Sequence, residues 1–145
     1  MKPEFMQKAL DIAKNSGDDI PVGAIIVKNG EIISRAVNER EKAQNAVSHA
    51  EMLAIQRANE KLGQWRLNDC EMYVTLEPCP MCAAAIIQSR IKALYFGAYD
   101  LLNGAMGSKT DMRGIMNISL EVKGGIMEEE CTKLLKTYFK GLRND

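Results

Sequence analysis

The middle of the chain alternates between short apolar strands and helices, and this order restricts the fold more than any other feature. The apolar run Glu71–Leu76 is followed by a helix from Pro78 to about Ser89, and a second apolar run covers residues 91–96. Strands that alternate with helices pair in parallel, and the helices cover the faces of the sheet. We therefore expect a parallel sheet flanked by helices in this part of the chain.

An amphipathic helix and a β-hairpin are predicted for the first part of the chain. Apolar side chains recur at helical spacing between Phe5 and Ala13. Two apolar, β-branched runs follow at residues 22–27 and 31–37, and Asn29-Gly30 between them favours a tight turn. These two runs are therefore predicted to be paired strands.

A loop and a second helix are predicted next. Residues 38–47 are polar and show no period, which is typical of a loop. Ser48 is a good N-cap for a helix that ends near Lys61, and Glu51 stands three residues later, as in a capping box. We therefore expect this helix to begin directly after Ser48.

The last part of the chain contains a long excursion, a strand and a final helix. Residues 97–117 carry glycines and asparagines at intervals and predict at most a short helix. A strand is predicted at 118–122, and a helix from about Met127 to Leu142. The whole order predicts an α/β fold, a three-layer α/β/α sandwich on a mixed sheet of about five strands, in one domain over residues 1–145.

Charge and composition exclude several classes of protein. The 19 basic and 19 acidic residues cancel, so any contact with a polyanion must come from a local patch. Charged residues interrupt the first turns of the chain, and no stretch approaches about 18 consecutive apolar residues. We expect no secretory signal and no membrane partner, and we expect the four cysteines to remain thiols in the cytoplasm.

Two short motifs place metal-binding side chains at predicted helix starts. His49 and Glu51 are two residues apart in the first motif, and Cys79 and Cys82 are three residues apart in the second. The two sulfurs face the same way on one helical turn, and a helix N-terminus favours the thiolate form that binds metal. Two thiolates and the His49 imidazole supply three zinc ligands, which leaves the fourth tetrahedral position for water, as in catalytic sites.

Glu51 is too close in sequence to His49 to be a natural fourth ligand. It is well placed to carry the proton of the water, whose pKa zinc lowers to about 7. The cysteine pair is also compatible with a redox site, or with a structural zinc site that Cys70 completes, but neither alternative gives Glu51 a role. Otherwise Cys70 and Cys131 are expected to be buried as small apolar residues.

The final helix presents a local basic surface. Lys133, Lys136, Lys140 and Arg143 gather on one face at about 100° per residue, and Phe139 lies at the border with the apolar face. Lysines beside an exposed aromatic ring suit a single-stranded nucleic acid, with phosphates on the lysines and a base against the ring. Helix geometry alone equally allows a solvated basic face with Phe139 half-buried in the core.

His-x-Glu with Pro-Cys-x-x-Cys is the signature of zinc-dependent nucleobase deaminases, and longer segments carry a more specific resemblance. These segments are Thr75-Leu76-Glu77-Pro78-Cys79-Pro80-Met81-Cys82, Phe96-Gly97-Ala98 with Asp100, Gly104-Ala105-Met106-Gly107-Ser108, Trp65-Arg66-Leu67 and Tyr138-Phe139-Lys140. On these segments the chain resembles the bacterial tRNA-specific adenosine deaminases of the cytidine-deaminase-like superfamily, nearly end to end. It departs from that family at Asn45-Ala46-Val47-Ser48 and at Leu102, where a lysine is usual.

The resemblance implies an activity and further site residues. It implies one zinc ion per chain and a homodimer that converts the wobble adenosine of a tRNA anticodon stem-loop to inosine, with release of ammonia. Asn38 would hydrogen-bond the target base, while Ile20, Asp100 and Phe139 would shape the pocket and hold the flanking nucleotides. It also favours Lys136 and Lys140 as RNA contacts.

Two other functions remain compatible with the same zinc motif. Guanine deaminases share the motif but usually differ in the glycine-rich loop and at the C-terminus, so deamination of a free guanine- or cytosine-type base or nucleoside is the alternative. The second is a zinc domain without catalytic activity that only binds nucleic acid. This function leaves Glu51 without a role.

Overall fold

Five strands and six helices follow one another along residues 1–143, the part of the chain that this computed structural model describes, with Arg143 described by its backbone only. The strands are β1 (Gly23–Lys28), β2 (Glu31–Val37), β3 (Cys70–Leu76), β4 (Ala93–Ala98) and β5 (Glu121–Lys123). The helices are α1 (Pro3–Ala13), α2 (Arg40–Ala43), α3 (Ala50–Leu62), α4 (Pro80–Gln88), α5 (Met112–Ile115) and α6 (Glu128–Arg143).

The strands form one mixed sheet in the order β2-β1-β3-β4-β5. β1 is antiparallel to both β2 and β3, whereas β3, β4 and β5 are parallel to one another. The hairpin turns at Asn29 and Gly30, whose φ angles of 50° and 77° lie in the left-handed region that Asn-Gly turns favour. The parallel half follows because α4 crosses from the end of β3 to the start of β4. The predicted mixed α/β sheet of five strands is confirmed.

Two apolar clusters lie on opposite faces of this sheet and produce the three layers. On one face, Met6 of α1 and Cys131 of α6 pack in the same cluster as Ile25 of β1. On the other face, Ile86 of α4 joins the cluster that contains Ile26 of β1. Neighbouring side chains of a strand point to opposite faces, so a strand buried on both sides is apolar, as β1 is at each residue before Lys28.

The predicted burial of two cysteines is also confirmed. Cys70, at the start of β3, and Cys131, on α6, are both free thiols and nearly inaccessible to solvent. Burial raises the pKa of the Cys131 thiol to about 11, which is the behaviour of a small apolar residue rather than a reactive one.

The predicted capping box of Ser48 and Glu51 is wrong. Helix α3 begins at Ala50, and its N-cap is His49, which makes no side-chain capping hydrogen bond. Ser48 is instead buried, and its backbone carbonyl accepts a hydrogen bond of 2.9 Å from the N–H of Glu39. The helix therefore starts one residue later than expected, and the Glu51 side chain is not used for capping.

The loop predicted at residues 38–47 contains a short helix, α2. Its first N–H groups are satisfied from a distant part of the chain, because the buried Asp19 carboxylate accepts hydrogen bonds from the N–H groups of Glu41 (2.8 Å) and Lys42 (3.2 Å). A capping residue that lies more than twenty positions away leaves no local pattern, so the sequence analysis did not detect this helix.

Three other boundaries shift by a few residues. Helix α4 begins at Pro80 rather than Pro78, with Cys79 as its N-cap. The strand predicted at 91–96 is displaced to Ala93–Ala98, and the one predicted at 118–122 is shortened to Glu121–Lys123. Shifts of one or two residues are usual at the ends of helices and strands. Larger shifts are expected where contacts with distant residues, and not a turn residue, determine the end of the element.

Helix α6 is the longest helix of the chain, with 16 residues and an amphipathic sequence. None of the helices within residues 1–143 combines the length and the apolar character that a membrane crossing requires.

Candidate active site

Several chain segments meet at one edge of the sheet because β1 runs opposite to its neighbours. The pairing of Gly23 with Val37 and of Leu76 with Ala98 brings the start of β1 beside the ends of β2, β3 and β4. The N–H of Gly23 also donates a 3.1 Å hydrogen bond to Oγ1 of Thr75 at this edge. Open α/β sheets bind their ligands outside the carboxyl ends of their strands, so this edge is the expected place for a site.

A cavity of about 360 Å³ opens at this edge. Its wall is built from residues within the segments 20–22, 38–40, 49–51, 76–80 and 100–103. The volume falls in the range of about 300–1,000 Å³ that is usual for small-molecule sites. Wider grooves of about 660 and 760 Å³ lie elsewhere on the surface, but neither is lined by a histidine or a cysteine.

The predicted metal ligands lie together at this cavity: His49 and Cys79 are in its wall, and the fully buried Cys82 is grouped with them. His49 precedes the first turn of α3, Cys79 precedes the first turn of α4, and Cys82 lies within that turn. Their ligand atoms all lie within 4.8 Å of one another, and they are the one such group of three within residues 1–143. The N-termini of both helices point their positive ends at the same place, which favours anionic ligands there.

The spacing of these three side chains fits zinc. Nδ1 of His49 lies 3.5 Å from Sγ of Cys82 and 3.7 Å from Sγ of Cys79. Ligands of a tetrahedral zinc, with a nitrogen at about 2.0–2.1 Å and a sulfur at about 2.3 Å, are separated by about 3.6 Å. Two thiolates and one imidazole are also the donor types that zinc prefers, and three protein ligands are typical of a catalytic site.

The local electrostatics favour a thiolate at Cys79. Hydrogen bonds from the side chains of Cys82 and His49 lower the pKa of Cys79 to about 4, although burial acts in the opposite direction. The same contact with Cys79, and then burial, raise the pKa of Cys82, because this thiol keeps its own proton and donates it in the hydrogen bond to the Cys79 thiolate. A divalent cation bound between the two sulfurs displaces that proton, so that both bind as thiolates.

Cys70 is not part of this group. It begins β3, whereas the cavity lies beyond the other end of that strand, about 20 Å away at the usual rise per residue. A structural site with Cys70 as a fourth ligand is therefore excluded.

Glu51 lies in the wall of the same cavity and is 5% exposed. Burial raises the pKa of its carboxyl to about 7. A carboxyl group that titrates near neutrality can both accept and donate a proton under physiological conditions. Glu51 is not among the three grouped ligand residues, so the arrangement separates a metal-binding set from a buried acid–base group.

Three of the residues expected to bind substrate line the cavity, and three do not. Asn38, Ile20 and Asp100 are in its wall. Lys136 and Lys140 instead line an open groove on α6, and Phe139 is an exposed residue of the same helix, 42% accessible.

Several residues that build this site were not predicted from the sequence. Arg40, Glu77 and Asn103 all line the cavity. The signal for Glu77 was present, since an acidic residue between a buried strand and a Pro-Cys turn needs an unusual set of partners. Arg40 and Asn103 lie in segments without any period, and their positions follow from long-range packing alone.

The fold and the three-ligand cavity define the class of zinc-dependent deaminases, and comparison with known proteins agrees. Residues 1–98 match the sequence model of the cytidine and deoxycytidylate deaminase zinc-binding region. A tRNA-specific adenosine deaminase of Bacillus subtilis (strain 168) is 44% identical over 143 residues, which covers 96% of this chain and 89% of that protein. The chain belongs to the zinc-binding deaminase family and, within it, to the tRNA-specific adenosine deaminases.

Solved structures support this assignment. A structure from studies of A-to-I editing by tRNA:A34 deaminases at the wobble position of tRNA superposes with a TM-score of 0.85 at 38% identity, covering 92% of this chain and all of that one. The guanine deaminase of Bacillus subtilis superposes with a TM-score of 0.65 at 40% identity. This superposition covers only 68% of the present chain and 66% of the guanine deaminase chain. The cofactor of this family is zinc.

Proposed function

We propose that this chain converts the wobble adenosine of a tRNA anticodon stem-loop to inosine, with uptake of water and release of ammonia. One observation carries the proposal: a buried acid–base group, Glu51, shares its cavity with a three-ligand zinc set in a chain 44% identical to a tRNA-specific adenosine deaminase. We further propose that residues 1–145 act as one catalytic domain, which the two apolar clusters on a shared sheet support.

We assign zinc binding to His49, Cys79 and Cys82. When bound, zinc acts as a Lewis acid that activates a water molecule for addition to C6 of the adenine. The first turns of α3 and α4 hold the three side chains in place, and backbone N–H groups of those turns favour the thiolate form. The distances of 3.5 and 3.7 Å from His49 to the two sulfurs support this assignment.

We assign proton transfer to Glu51. Its carboxylate accepts a proton from the water and delivers it to N1 of the adenine, and it then passes a second proton to the departing amine. The overall step breaks the C6–N6 bond, forms a C6–O bond and releases ammonia. The raised pKa of Glu51, about 7, supports this role because a carboxyl group of ordinary acidity would donate a proton poorly at neutral pH.

We propose that Asn38 hydrogen-bonds the target base and that Ile20 and Asp100 shape its pocket. All three line the cavity that contains Glu51. Oδ1 of Asn38 already accepts a 3.3 Å hydrogen bond from the N–H of Arg40, which orients the side-chain amide. An anticodon loop base is unpaired in the free RNA, so its entry into this pocket costs little.

We propose that α6 binds the RNA beside the cavity. Lys136 and Lys140 are exposed and line an open groove of about 460 Å³ on this helix. Phe139 lies between them in sequence, exposed and in edge-to-face contact with Tyr138, so its outer face is available to a base. The side chain of Arg143, which the sequence analysis added to this basic face, lies outside the described residues. We place the activity in the cytoplasm because its proposed substrate is tRNA.

The experiment that tests this function compares a short anticodon stem-loop carrying adenine at the wobble position with free adenosine, guanine and cytidine. Inosine formed in the stem-loop alone is the expected result. A stem-loop with guanine at the wobble position and adenine beside it is the matched control, and it should remain unchanged. Ammonia released from a free base or nucleoside alone would contradict the RNA substrate while leaving the zinc site intact.

The alternative is a deaminase of free guanine, which the partial superposition on a guanine deaminase favours. That structure matches about two thirds of the chain, and the basic surface on α6 has no role in binding a free base. Release of ammonia from guanine in the same assay would select this alternative.

We also propose that two copies of the chain associate, as the resemblance to tRNA-specific adenosine deaminases implies. Large apolar side chains are exposed near the end of α4, with Trp65 at 52% and Ile118 at 36% accessibility. Trp65 and Ile118 line the open groove of about 660 Å³ there. Light scattering should give the mass of two chains, and Ile118→Glu should give the mass of one. A wild-type monomer would contradict the proposal.

A further inference from the structure

The carboxylate of Glu77 lies at the centre of a set of hydrogen bonds that the proposed chemistry does not use. This residue connects β3 to the Cys79 turn and is 2% exposed. Oε1 accepts a hydrogen bond of 3.1 Å from the N–H of Asp100 and another from the Ser108 hydroxyl. Oε2 accepts hydrogen bonds of 3.1 Å from the N–H groups of Met106 and Ser108.

All four donors belong to one loop, residues 100–108, which we call the rim loop. Its backbone also closes on itself, because the N–H of Gly104 donates to the carbonyl of Asp100 at 2.8 Å. The N–H of Ala105 donates at 2.8 Å to the carbonyl of Pro78, which immediately precedes Cys79. The rim loop is therefore folded around a carboxylate and fastened to the turn that carries a metal ligand.

Two further contacts give the rim loop its shape. A Cβ atom at position 104 would collide with the Glu77 carboxyl group, so a glycine is required at the point of closest approach. Oδ1 of Asp100 accepts hydrogen bonds from the N–H groups of Leu102 (3.1 Å) and Asn103 (3.0 Å). Through these bonds the position of Glu77 determines the positions of Asp100 and Asn103, which line the cavity.

No basic side chain neutralises Glu77: the ion pairs found within residues 1–143 involve other residues. Burial of a carboxylate is costly unless hydrogen bonds replace its hydration. Here three N–H groups and one hydroxyl do so, and each is a charge-assisted bond, stronger than a bond between neutral groups. The arrangement favours a group that only accepts hydrogen bonds, because three of its four partners are backbone N–H groups, which can only donate.

We propose that Glu77 is a positioning residue that holds the rim loop closed against the mouth of the cavity, so that Asp100 and Asn103 form one wall of the substrate pocket. The substrate-binding part of this proposal rests on the function proposed above, whereas the closure of the loop does not. Glu77 acts through the loop and is not one of the three grouped metal ligands.

The test is Glu77→Gln, which keeps the size of the side chain and replaces one acceptor by a donor. In either orientation the amide N–H groups of the glutamine face at least one backbone N–H donor, so at least one of the four hydrogen bonds is lost and the loop opens. Lys109 is exposed and directly follows the rim loop, so trypsin cleavage after Lys109, identified by mass spectrometry, reports this opening. We expect cleavage to accelerate by about tenfold to a hundredfold, the range for loss of hydrogen bonds to a charged group.

Steady-state kinetics distinguish a positioning role of Glu77 from a general contribution to stability. We expect the KM for the stem-loop to rise by a similar factor, with kcat changed much less and one zinc ion retained per chain. Glu121→Gln is the matched control, since it removes the same charge from an exposed position of β5, and it should behave as wild type. Ser108→Ala, which removes a single donor and leaves the backbone bonds, should give the same two changes at about two- to tenfold.

Several outcomes would overturn the proposal. They are wild-type cleavage after Lys109 in Glu77→Gln, an equal acceleration in Glu121→Gln, or faster cleavage with an unchanged KM. If Glu77→Gln does not fold, trypsin cleavage after Lys109 and the KM for the stem-loop, measured on Ser108→Ala, test the proposal instead. If the wild-type chain does not act on the stem-loop, the function proposed above fails, and trypsin cleavage still tests the closure of the rim loop.

Discussion

The hydroxyl of Tyr138 donates a 2.9 Å hydrogen bond to the backbone carbonyl of Asp18. This bond joins α6, which carries the exposed lysines, to the segment that leads into Ile20 at the cavity wall. The next residue, Asp19, caps α2, the helix that begins with the cavity residue Arg40. The basic helix and the cavity are therefore tied together, so an RNA bound on α6 has a defined position relative to Glu51.

Tyr138→Phe should weaken binding of the stem-loop without altering the chemistry. The variant keeps the ring and loses one hydrogen bond, worth about 0.5–1.5 kcal/mol, so we expect the KM for RNA to rise by about two- to tenfold with kcat unchanged. Tyr95→Phe is a matched control, because it loses the bond to Glu71 at the far end of the sheet. Steady-state kinetics of both variants would test this, and an equal effect of the two would count against the coupling.

Glu51→Gln should abolish turnover while zinc stays bound. The amide occupies the same space but cannot accept the proton, and loss of a general base typically costs about 10²–10⁴ in rate. Inosine formation and metal content measured on the same preparation give the two readings. Substantial activity with the amide in place would remove Glu51 from the mechanism.

The activity should fall on the acid side of neutrality. Glu51 must be ionised to accept a proton, and burial raises its pKa to about 7, so the active form is lost as the pH falls through that region. Bound zinc is a nearby positive charge that favours the carboxylate, which moves the acid limb below this value. The pH profile of kcat/KM would show the limb, and a flat profile throughout the acid range would contradict the assignment.

Cys82→Ser should lose zinc, whereas Cys70→Ala should keep it. Cys82 lies 3.5 Å from Nδ1 of His49, and Cys70 lies at the other end of β3. Because metal binding to folded ligands stabilises the native state, the first variant should also unfold at a lower temperature in the presence of zinc. Metal analysis after dialysis distinguishes the two, and retention of full zinc by Cys82→Ser would refute the ligand set.

Reversal of two charges on α6 should weaken RNA binding and its dependence on salt. Lys136→Glu with Lys140→Glu removes two phosphate contacts, so the slope of log affinity against log salt should become shallower by about 1.4–1.8. Lys8→Glu, on the exposed side of α1, is the control for charge alone. A stem-loop affinity unchanged by the double variant would show that phosphates bind elsewhere.

The parts of this structure that were predicted from sequence are those whose cause is local. The Asn29-Gly30 turn follows from backbone preferences of two residues, and the metal set follows from spacing along single helical turns at His49, Cys79 and Cys82. The parallel pairing of β3 with β4 was predicted because a helix between two apolar runs permits few connections.

The parts that were missed depend on contacts between distant residues. Asp19 creates α2 by capping it from across the loop, and Glu77 folds a loop that begins more than twenty residues later. Ser48 shows the reverse case, a local capping signal overridden because tertiary contacts bury the residue. None of these three features can be predicted from the residues that are its neighbours in the sequence.

The order of elements along the chain has a practical consequence for protein engineering. Every residue of the cavity wall lies between Ile20 and Asn103, whereas the exposed lysines of α6 come after residue 127. The cavity and the helix proposed to bind the rest of the RNA are thus encoded in consecutive, non-overlapping stretches. A library confined to the terminal helix would explore new RNA partners without disturbing the metal centre, and the bond from Tyr138 to Asp18 marks the position that such a library should leave intact.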